Sequence, residues 1–381
     1  MKSLLVVVFI LLFSQSFNAQ NIRIGIFTGL KLKEMQLKVG QGTYWMQSAT
    51  ENSVSSSIQV LDPTTTYTIR VSNAQVQVLN KGQVLLQATS VLVQQKNLED
   101  YCNWTGILPV AKMRSYEGDF EMSIVKGELK LINSLDIETY LEGVVSSEGG
   151  FGHRSAYYEA QAVISRTYAF SNLKRHQNEN FALCERVHCQ AYFGKRSGSA
   201  IIDSAVRNTK GYVLLNQEKG YYPTFFHANC GGQTCEPQYI WNEEIQGLQS
   251  FQDTFCVHTK QATWIKSIPL STWTHYLADK YHFPLEDSMS LSLLQSFHQP
   301  QRMAFYLHPV YGIPLRDLRE QFKLKSTYFD AVVVGQEMIL YGKGFGHGVG
   351  LCQEGAMQMA KKGYTFDQIL RYYYPGSILS Q

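Results

Sequence analysis

The chain lacks several features that would settle its class at once. After the first few residues no apolar run is long enough to cross a bilayer. Charge of one sign is not in excess: 34 Lys and Arg stand against 31 Asp and Glu, a net +3. So weak a balance gives no argument for nucleic acid, although it is compatible with an anionic polymer. There is no internal repeat and no low-complexity linker. The one glycine-dense segment has no G-x-G-x-x-G spacing, and too little chain follows it for a βαβ unit, which argues against a dinucleotide site. An even cysteine count is missing too. The seven are Cys102, Cys184, Cys189, Cys230, Cys235, Cys256 and Cys352. In an oxidising compartment an odd number leaves at least one unpaired, unless a metal takes some.

The N-terminus carries a different message. Met1-Lys2-Ser3 precedes an unbroken apolar run from Leu4 to Phe13, and a short polar stretch ends at Phe17-Asn18-Ala19. Charge, apolar core and small-residue cut site together predict a secretory signal over residues 1–19, cleaved after Ala19. The competing reading is a buried N-terminal strand. No cysteine lies near the cut, which argues against a lipid anchor. The expected product is an exported protein, periplasmic or wall-facing, with no membrane span. Its length of roughly 360 residues suffices for two domains. The 23 Tyr and 20 Phe suit sugar stacking, but equally a large core, which is the better default.

The pattern predicts an α+β protein with a β-rich N-terminal domain (20–115) and a mixed α/β domain (116–381). Alternation at 22–27, 68–71 and 75–78 predicts strands, separated by turn signals such as Asp62-Pro63 and Asn80-Lys81-Gly82. Residues 122–125 and 129–132 read as a hairpin around Lys126-Gly127. Asp136 is placed to cap a helix running through Val144, with a break expected at Ser146-Ser147-Glu148-Gly149-Gly150. A long helix is predicted over 155–175. Shorter helices are expected over 273–281, 315–319 and 356–362, and strands over 212–215 and 224–227.

Several groups could carry chemistry. Glu148 closes an apolar helix beside two glycines, where desolvation can keep a carboxyl protonated as a general acid needs. A solvated helix-end glutamate is the plainer reading. Gln161, Ser165 and Tyr168 fall at helical spacing and share a face that lines a cleft or meets water. His176, Cys184, His188 and Cys189 are four metal-binding side chains within fourteen residues. They fit a closed zinc site or, alternatively, a Cys184–Cys189 disulfide with incidental histidines. If a metal takes both cysteines, Cys230–Cys235 and Cys230–Cys256 remain open as bridges. The turn Cys230-Gly231-Gly232 presents Asn229 or Gln233, or is an ordinary turn. The segment Gly344-Phe345-Gly346-His347-Gly348-Val349-Gly350 is a displayed site or a tightly packed turn, with His347 and Gln353 as substrate-positioning candidates.

Taken in order, these segments resemble the SpoIID/LytB family of exported cell-wall proteins. The resemblance is carried by Tyr140-Leu141-Glu142-Gly143-Val144-Val145 leading to Glu148, by Glu159-Ala160-Gln161-Ala162-Val163-Ile164-Ser165-Arg166-Thr167-Tyr168-Ala169, and by Cys189-Gln190-Ala191-Tyr192-Phe193-Gly194. Further on it rests on Cys230-Gly231-Gly232-Gln233-Thr234, Lys325-Ser326-Thr327-Tyr328-Phe329, Gly346-His347-Gly348-Val349-Gly350-Leu351 and Tyr373-Tyr374-Pro375-Gly376. It implies a peptidoglycan lytic transglycosylase, a lyase that cuts between N-acetylmuramic acid and N-acetylglucosamine and leaves a 1,6-anhydro end, on strands stripped of stem peptides. The alternative it implies is a non-catalytic glycan-binding enhancer of a cell-wall amidase. The family's acid falls on Glu148, and its structural zinc on His176, Cys184, His188 and Cys189. Arg166, Tyr168, Tyr192, His347 and Gln353 are then expected to hold the sugar, with an arginine suited to the lactyl carboxylate. Peptidoglycan strands and a wall amidase are the implied partners. The sequence departs from the family pattern at Cys352, where serine is usual, in the Gly-Gly-Phe after Glu148, and at Cys235, which delays the acidic Glu236 by one residue.

Overall fold

The structure is a computed structural model describing residues 21–50, 53–54, 58–195, 200–308 and 310–381. The expected secretory signal lies outside the described residues. Two mainly antiparallel sheets pack face to face, the first with one parallel pair at its edge. The first runs in the order Leu183–Cys184, Asn21–Ile26, Glu128–Asp136, Asp119–Val125, Ser90–Gln95, Tyr44–Thr50 and Ser53–Val54, with Gln59–Val60 also on Tyr44–Thr50. The second runs Val110–Glu117, Tyr101–Leu108, Glu34–Gln41, Thr66–Ser72, Gln75–Asn80 and Gln83–Ala88. Period-two burial drives this packing. Met35, Leu37 and Val39 point inward from one strand, and Cys102 and Trp104 from its neighbour. Trp104 meets Phe120 of the opposite sheet with ring centroids 4.9 Å apart.

The sequence pattern divides the chain near residue 115, but the first sheet takes strands from both sides of that point. Asn21–Ile26 pairs with Glu128–Asp136 along its whole length, Asn21 opposite Asp136 and Ile26 opposite Leu131. Apolar side chains from Ile22 to Tyr374 belong to one continuous core. The hairpin around Lys126-Gly127 forms as its sequence predicts. Val125 faces Glu128 across a two-residue turn, and Lys126 and Gly127 both take positive φ, 51° and 74°, which matches the twist of the strands.

That hairpin leads into α1 (Ile137–Gly149), capped by Asp136, whose carboxylate accepts from the Glu138 amide at 2.9 Å. The next helix, α2 (Ser155–Ser171), ends a turn earlier than its pattern suggests. It is buried along most of its length, and α1 packs against it, as does α3 (Ala200–Asn208). Arg166 of α2 is fully buried. Its guanidinium makes two bonds to the Glu138 carboxylate, at 3.0 and 2.5 Å, and one to the Tyr212 carbonyl at 3.0 Å. This pair locks α1 to α2.

After the short α4 (Pro237–Trp241), residues 263–343 build a second apolar core of their own around Trp264, Trp273, Phe283, Tyr306, Leu318 and Leu340. A four-stranded sheet, ordered Thr263–Pro269, Glu337–Lys343, Phe329–Val334 and Ser296–Phe297, carries α5 (Leu270–Tyr281), α6 (Ser288–Leu293) and α7 (Leu315–Gln321). The chain then returns to the first core through the glycine loop, α8 (Gln353–Lys361) and α9 (Phe366–Tyr373). Arg302 ties the second core to the first: its backbone amide and Nε donate to Gln233, and Nη2 to the Cys230 carbonyl at 2.7 Å.

Arg166→Met leaves the Glu138 carboxylate without its partner and is expected to destabilise the protein by about 3 kcal/mol. Urea unfolding reads this directly. Unchanged stability with weakened glycan binding would instead put the guanidinium in a ligand site.

Candidate functional site around Glu148

The helix α1 does not break where the sequence suggests. It continues through Ser146, Ser147 and Glu148 and stops only at Gly150, whose φ of 65° takes the chain out of the helix. Glu148 therefore sits in the last turn of a rigid helix, partly exposed. The Ala191 amide donates to its Oε1 at 2.6 Å, and among the described residues nothing donates to Oε2. Burial raises the carboxyl pKa, against the lowering effect of the Ala191 bond. Gln353, at the start of α8, donates from Nε2 to the Glu148 carbonyl and to Gln161 Oε1, both at 3.2 Å. Gln161 in turn donates to Ser165 Oγ at 3.2 Å. Gln161 and Ser165 thus meet neither a cleft nor water. They form a buried polar chain that ends at the backbone of Glu148.

Tyr157 completes the surroundings and was not singled out by the sequence reading. It is fully buried, Glu148 contributes to the raised pKa of its phenol, and its hydroxyl has no partner among the described residues. Its position on α2, two residues into the helix after a glycine turn, resembles that of any core tyrosine, so no local signal marks it.

The segment that supplies the Ala191 amide starts at a cluster of four metal-binding side chains. Cys184 and Cys189 have their sulfurs 3.5 Å apart; Cys189 Sγ is 3.4 Å from His176 Nε2, and His188 Nδ1 is 3.7 and 3.6 Å from the two sulfurs. Glu179 lies 2.6 Å from His176 Nδ1, which sets the tautomer that leaves Nε2 free as a ligand. The residues that follow are pinned one by one. Gln190 accepts from the Tyr140 hydroxyl at 3.2 Å and donates to the Ser165 carbonyl at 3.3 Å. The Phe193 amide donates to Ser147 Oγ at 3.2 Å.

The remaining expected sugar-holding residues are scattered. Tyr192 is fully buried among Tyr116 and Tyr140 and donates to Asn133 at 2.9 Å. Tyr168 lies beside the Cys184 and Cys189 thiols, and burial pushes its phenol up to about 12. Arg166 is occupied by Glu138, as described. His347 stands with His227, Trp241 and Phe225, its ring 5.3 Å from that of Trp241. Only Gln353 touches Glu148 directly. Asn229 and Gln233, which the turn was thought to present, face inward: Asn229 donates to the Cys256 carbonyl and to Glu354 Oε2, and Gln233 accepts from the Arg302 amide.

Two sequence-distant motifs meet here. The glycine loop lies along the His227–Gln233 stretch: Asn229 and Phe345 exchange backbone bonds at 3.0 and 2.8 Å, and the Cys235 amide donates to the Gly348 carbonyl at 2.8 Å. A side chain at Gly346, where φ is 112°, would place its Cβ 2.8 Å from that of His227, so close approach is what the glycine serves. Two cavities lie elsewhere, one of about 800 Å³ lined by Gln95, Lys96 and Asp119, the other of about 400 Å³ beside Tyr222 and Pro375. Glu148 lines neither.

Comparison with known proteins bears on this arrangement. A family profile described as Stage II sporulation protein (SpoIID) matches residues 125–215, the stretch holding α1, Glu148, α2 and the four metal-binding side chains. Stage II sporulation protein D of Bacillus subtilis is 25% identical over 265 residues, covering 66% of this chain and 76% of that protein. Over this stretch the chain is similar to SpoIID/LytB-family proteins. An uncharacterised protein of Brachyspira hyodysenteriae is 26% identical over 248 residues, covering 65% of this chain and 67% of that one. The Amidase enhancer of Bacillus subtilis is 24% identical over 290 residues, but the match covers only 40% of that protein's length, against 63% of this chain.

Within this SpoIID-type unit a second carboxyl of α1, Glu142, has its pKa raised to about 7, mainly by burial and then by Asp203 and Glu117. It faces α3 rather than the Ala191 and Gln353 segments. Because the folded state holds a proton that the unfolded chain releases near 4.5, Glu142 supports folding below that pH and loses this contribution as pH rises through about 7. Glu142→Gln is therefore expected to raise the melting temperature at about pH 8 and leave it unchanged at about pH 4. Calorimetry at the two pH values checks the sign.

Proposed function

We propose that this protein is an exported peptidoglycan lytic transglycosylase that cuts glycan strands between N-acetylmuramic acid and N-acetylglucosamine, with Glu148 as its single acid and base. The observation that carries the reading is the state of Glu148. Its carboxyl is desolvated, one oxygen rests on the Ala191 amide, and the other is left without a partner among the described residues. The match of residues 125–215 to the SpoIID profile supports the same assignment.

One carboxyl suffices for this chemistry. Hydrolysis of a glycosidic bond ordinarily takes two, because water or a second carboxylate must supply the new bond. A muramic acid residue carries its own C6 hydroxyl. Protonated Glu148 donates its proton to the bridging oxygen as the bond from C1 to that oxygen breaks, and N-acetylglucosamine leaves with a free O4 hydroxyl. The C6 oxygen closes on the oxocarbenium-like C1, and the Glu148 carboxylate accepts the C6 hydroxyl proton. The carboxyl ends as it began, and the product is a 1,6-anhydro ring. Nucleophile and electrophile belong to one sugar, so orientation supplies much of the rate. Gln353 and Ala191 hold the acid.

The cluster of His176, Cys184, His188 and Cys189 fits a zinc ion. Donor separations of 3.4–3.7 Å match the edges of a tetrahedron with metal bonds of about 2.0–2.3 Å. Four protein ligands leave no open position, so bound zinc would supply a cross-link. In that case Cys189 anchors the strand segment from which Ala191 reaches Glu148.

The second reading is a glycan-binding enhancer of a wall amidase, favoured by the relative named Amidase enhancer. Glu148→Gln separates the two. It is expected to lower release of anhydro-muramyl products from amidase-treated sacculi by about a thousandfold while glycan binding persists. Purified wild-type protein that releases no anhydro product but accelerates an amidase would establish the enhancer instead.

A pH profile gives an independent check. Because burial raises the Glu148 pKa and the acid must start protonated, kcat/KM is expected to fall on the alkaline side with a midpoint above the ordinary carboxylate range. A rate that instead rises through that range would remove Glu148 from the role of proton donor.

A further inference from the structure

A second set of buried ligands takes no part in the chemistry above. Cys230, Asp253, Cys256 and Cys352 each present a donor atom, and the four atoms all lie within 4.8 Å of one another. All four residues are fully buried. They converge from distant points of the chain: the turn after Phe226–His227, the segment before Thr263–Pro269, and the residue that caps α8. We propose that they form a second structural metal site, a three-sulfur, one-oxygen cage for zinc or a similarly soft divalent cation.

The charge balance points the same way. Asp253 accepts from the Tyr373 hydroxyl at 2.9 Å, from the Phe255 amide at 2.9 Å and from the Cys230 thiol at 3.3 Å. None of these partners is cationic. A carboxylate so deeply buried needs a counter-charge or a metal. The sulfurs are equally placed for ligation. Cys352 Sγ accepts from the Cys230 amide at 3.3 Å and from the Gly355 amide at 3.4 Å, bonds that stabilise a thiolate. Cys230 and Cys256 have their sulfurs 3.2 Å apart. That separation approaches the tetrahedral edge of about 3.8 Å that metal–sulfur bonds of about 2.3 Å produce. A Cys230–Cys256 disulfide would use two sulfurs and leave Asp253 and Cys352 buried together with no cation. Cys235, the other bridging candidate, lies outside the group, near Arg302.

The position of this cage gives it a consequence for the acid. Cys352 immediately precedes Gln353, which holds the Glu148 carbonyl and the Gln161 side chain. The cage also joins the Cys230-Gly231-Gly232 turn to the start of α8. Glu148 is then braced from two directions, through Ala191 by the histidine-containing cluster and through Gln353 by this one. The assignment of the cage stands whether or not Glu148 is the catalyst.

Metal analysis of full-length protein, exported and purified without reductant or chelator, tests the inference. Wild type is expected to carry about two zinc per chain, and Asp253→Asn and Cys352→Ser about one each. Cys184→Ser, which disables only the other cluster, is expected to retain about one, and its combination with Cys352→Ser none. Cobalt(II) loaded into the Cys184→Ser protein should give sulfur-to-metal charge-transfer absorption that the double variant lacks. Should the variants not fold, peptide mapping of denatured, non-reduced wild type decides: Cys230, Cys256 and Cys352 are expected as free thiols. A disulfide between any two of them, or a wild type whose zinc is lost entirely on Cys184→Ser, would overturn the assignment.

Discussion

The hydrogen bond from the Ala191 amide to Glu148 Oε1 is the contact on which the rest of the site depends. It fixes where a single carboxyl oxygen points, and it does so from a loop rather than from the helix that bears the acid. A loop amide is a poor anchor unless the loop is itself immobile. Here that segment is tied at every residue from Cys189 to Phe193, by His176, Tyr140, Ser165, Glu148, Glu185 and Ser147. Burial and the amide bond act on the carboxyl in opposite senses, and burial is the larger effect, so the group stays easier to protonate than a free glutamate.

The scaffold explains why such rigidity is available. Helix α2 is buried along most of its length and carries the polar residues that reach both sides of the site: Gln161 toward Gln353 and Ser165 toward Gln190. Arg166, on the same helix, clamps α1 through Glu138. Polar groups in a buried helix must find partners, and these find them in the elements that carry the acid and its supports. The first strand, Asn21–Ile26, extends the same logic across the molecule. It pairs on one edge with the strand that leads into α1 and on the other with Leu183–Cys184, which brings Cys184 of the four-residue cluster to the sheet edge. The N-terminal sandwich is thereby continuous with the support of the site.

Local chemistry was legible where local rules decide structure. The Lys126-Gly127 hairpin, the Asp136 cap and the strand alternation of 22–26 and 75–78 depend on neighbours in sequence, and they form as read. The break expected after Val144 is absent because tertiary packing overrides weak propensity: the Phe193 amide donates to Ser147 and the Ala191 amide to Glu148, holding the last turn against the 189–193 segment. The family resemblance implies Arg166 and Tyr192 as sugar-holding groups, and the structure places both in the interior. Their burial follows from partners 28 and 59 residues away, Glu138 and Asn133, and spacing along the chain cannot reveal these.

By itself the sequence determined the α+β class, the resemblance to the SpoIID/LytB family and the grouping of His176, Cys184, His188 and Cys189, because each depends on residues close together or in a recognisable order. Only the tertiary structure decided which of the candidate groups touch Glu148, that the sheet runs across residue 115, that residues 263–343 carry a core of their own, and that Cys230, Asp253, Cys256 and Cys352 meet. The reason is one of range. Capping, turn chemistry and ligand spacing act over a few residues, whereas burial, charge balance and the choice of partner are properties of the packed interior.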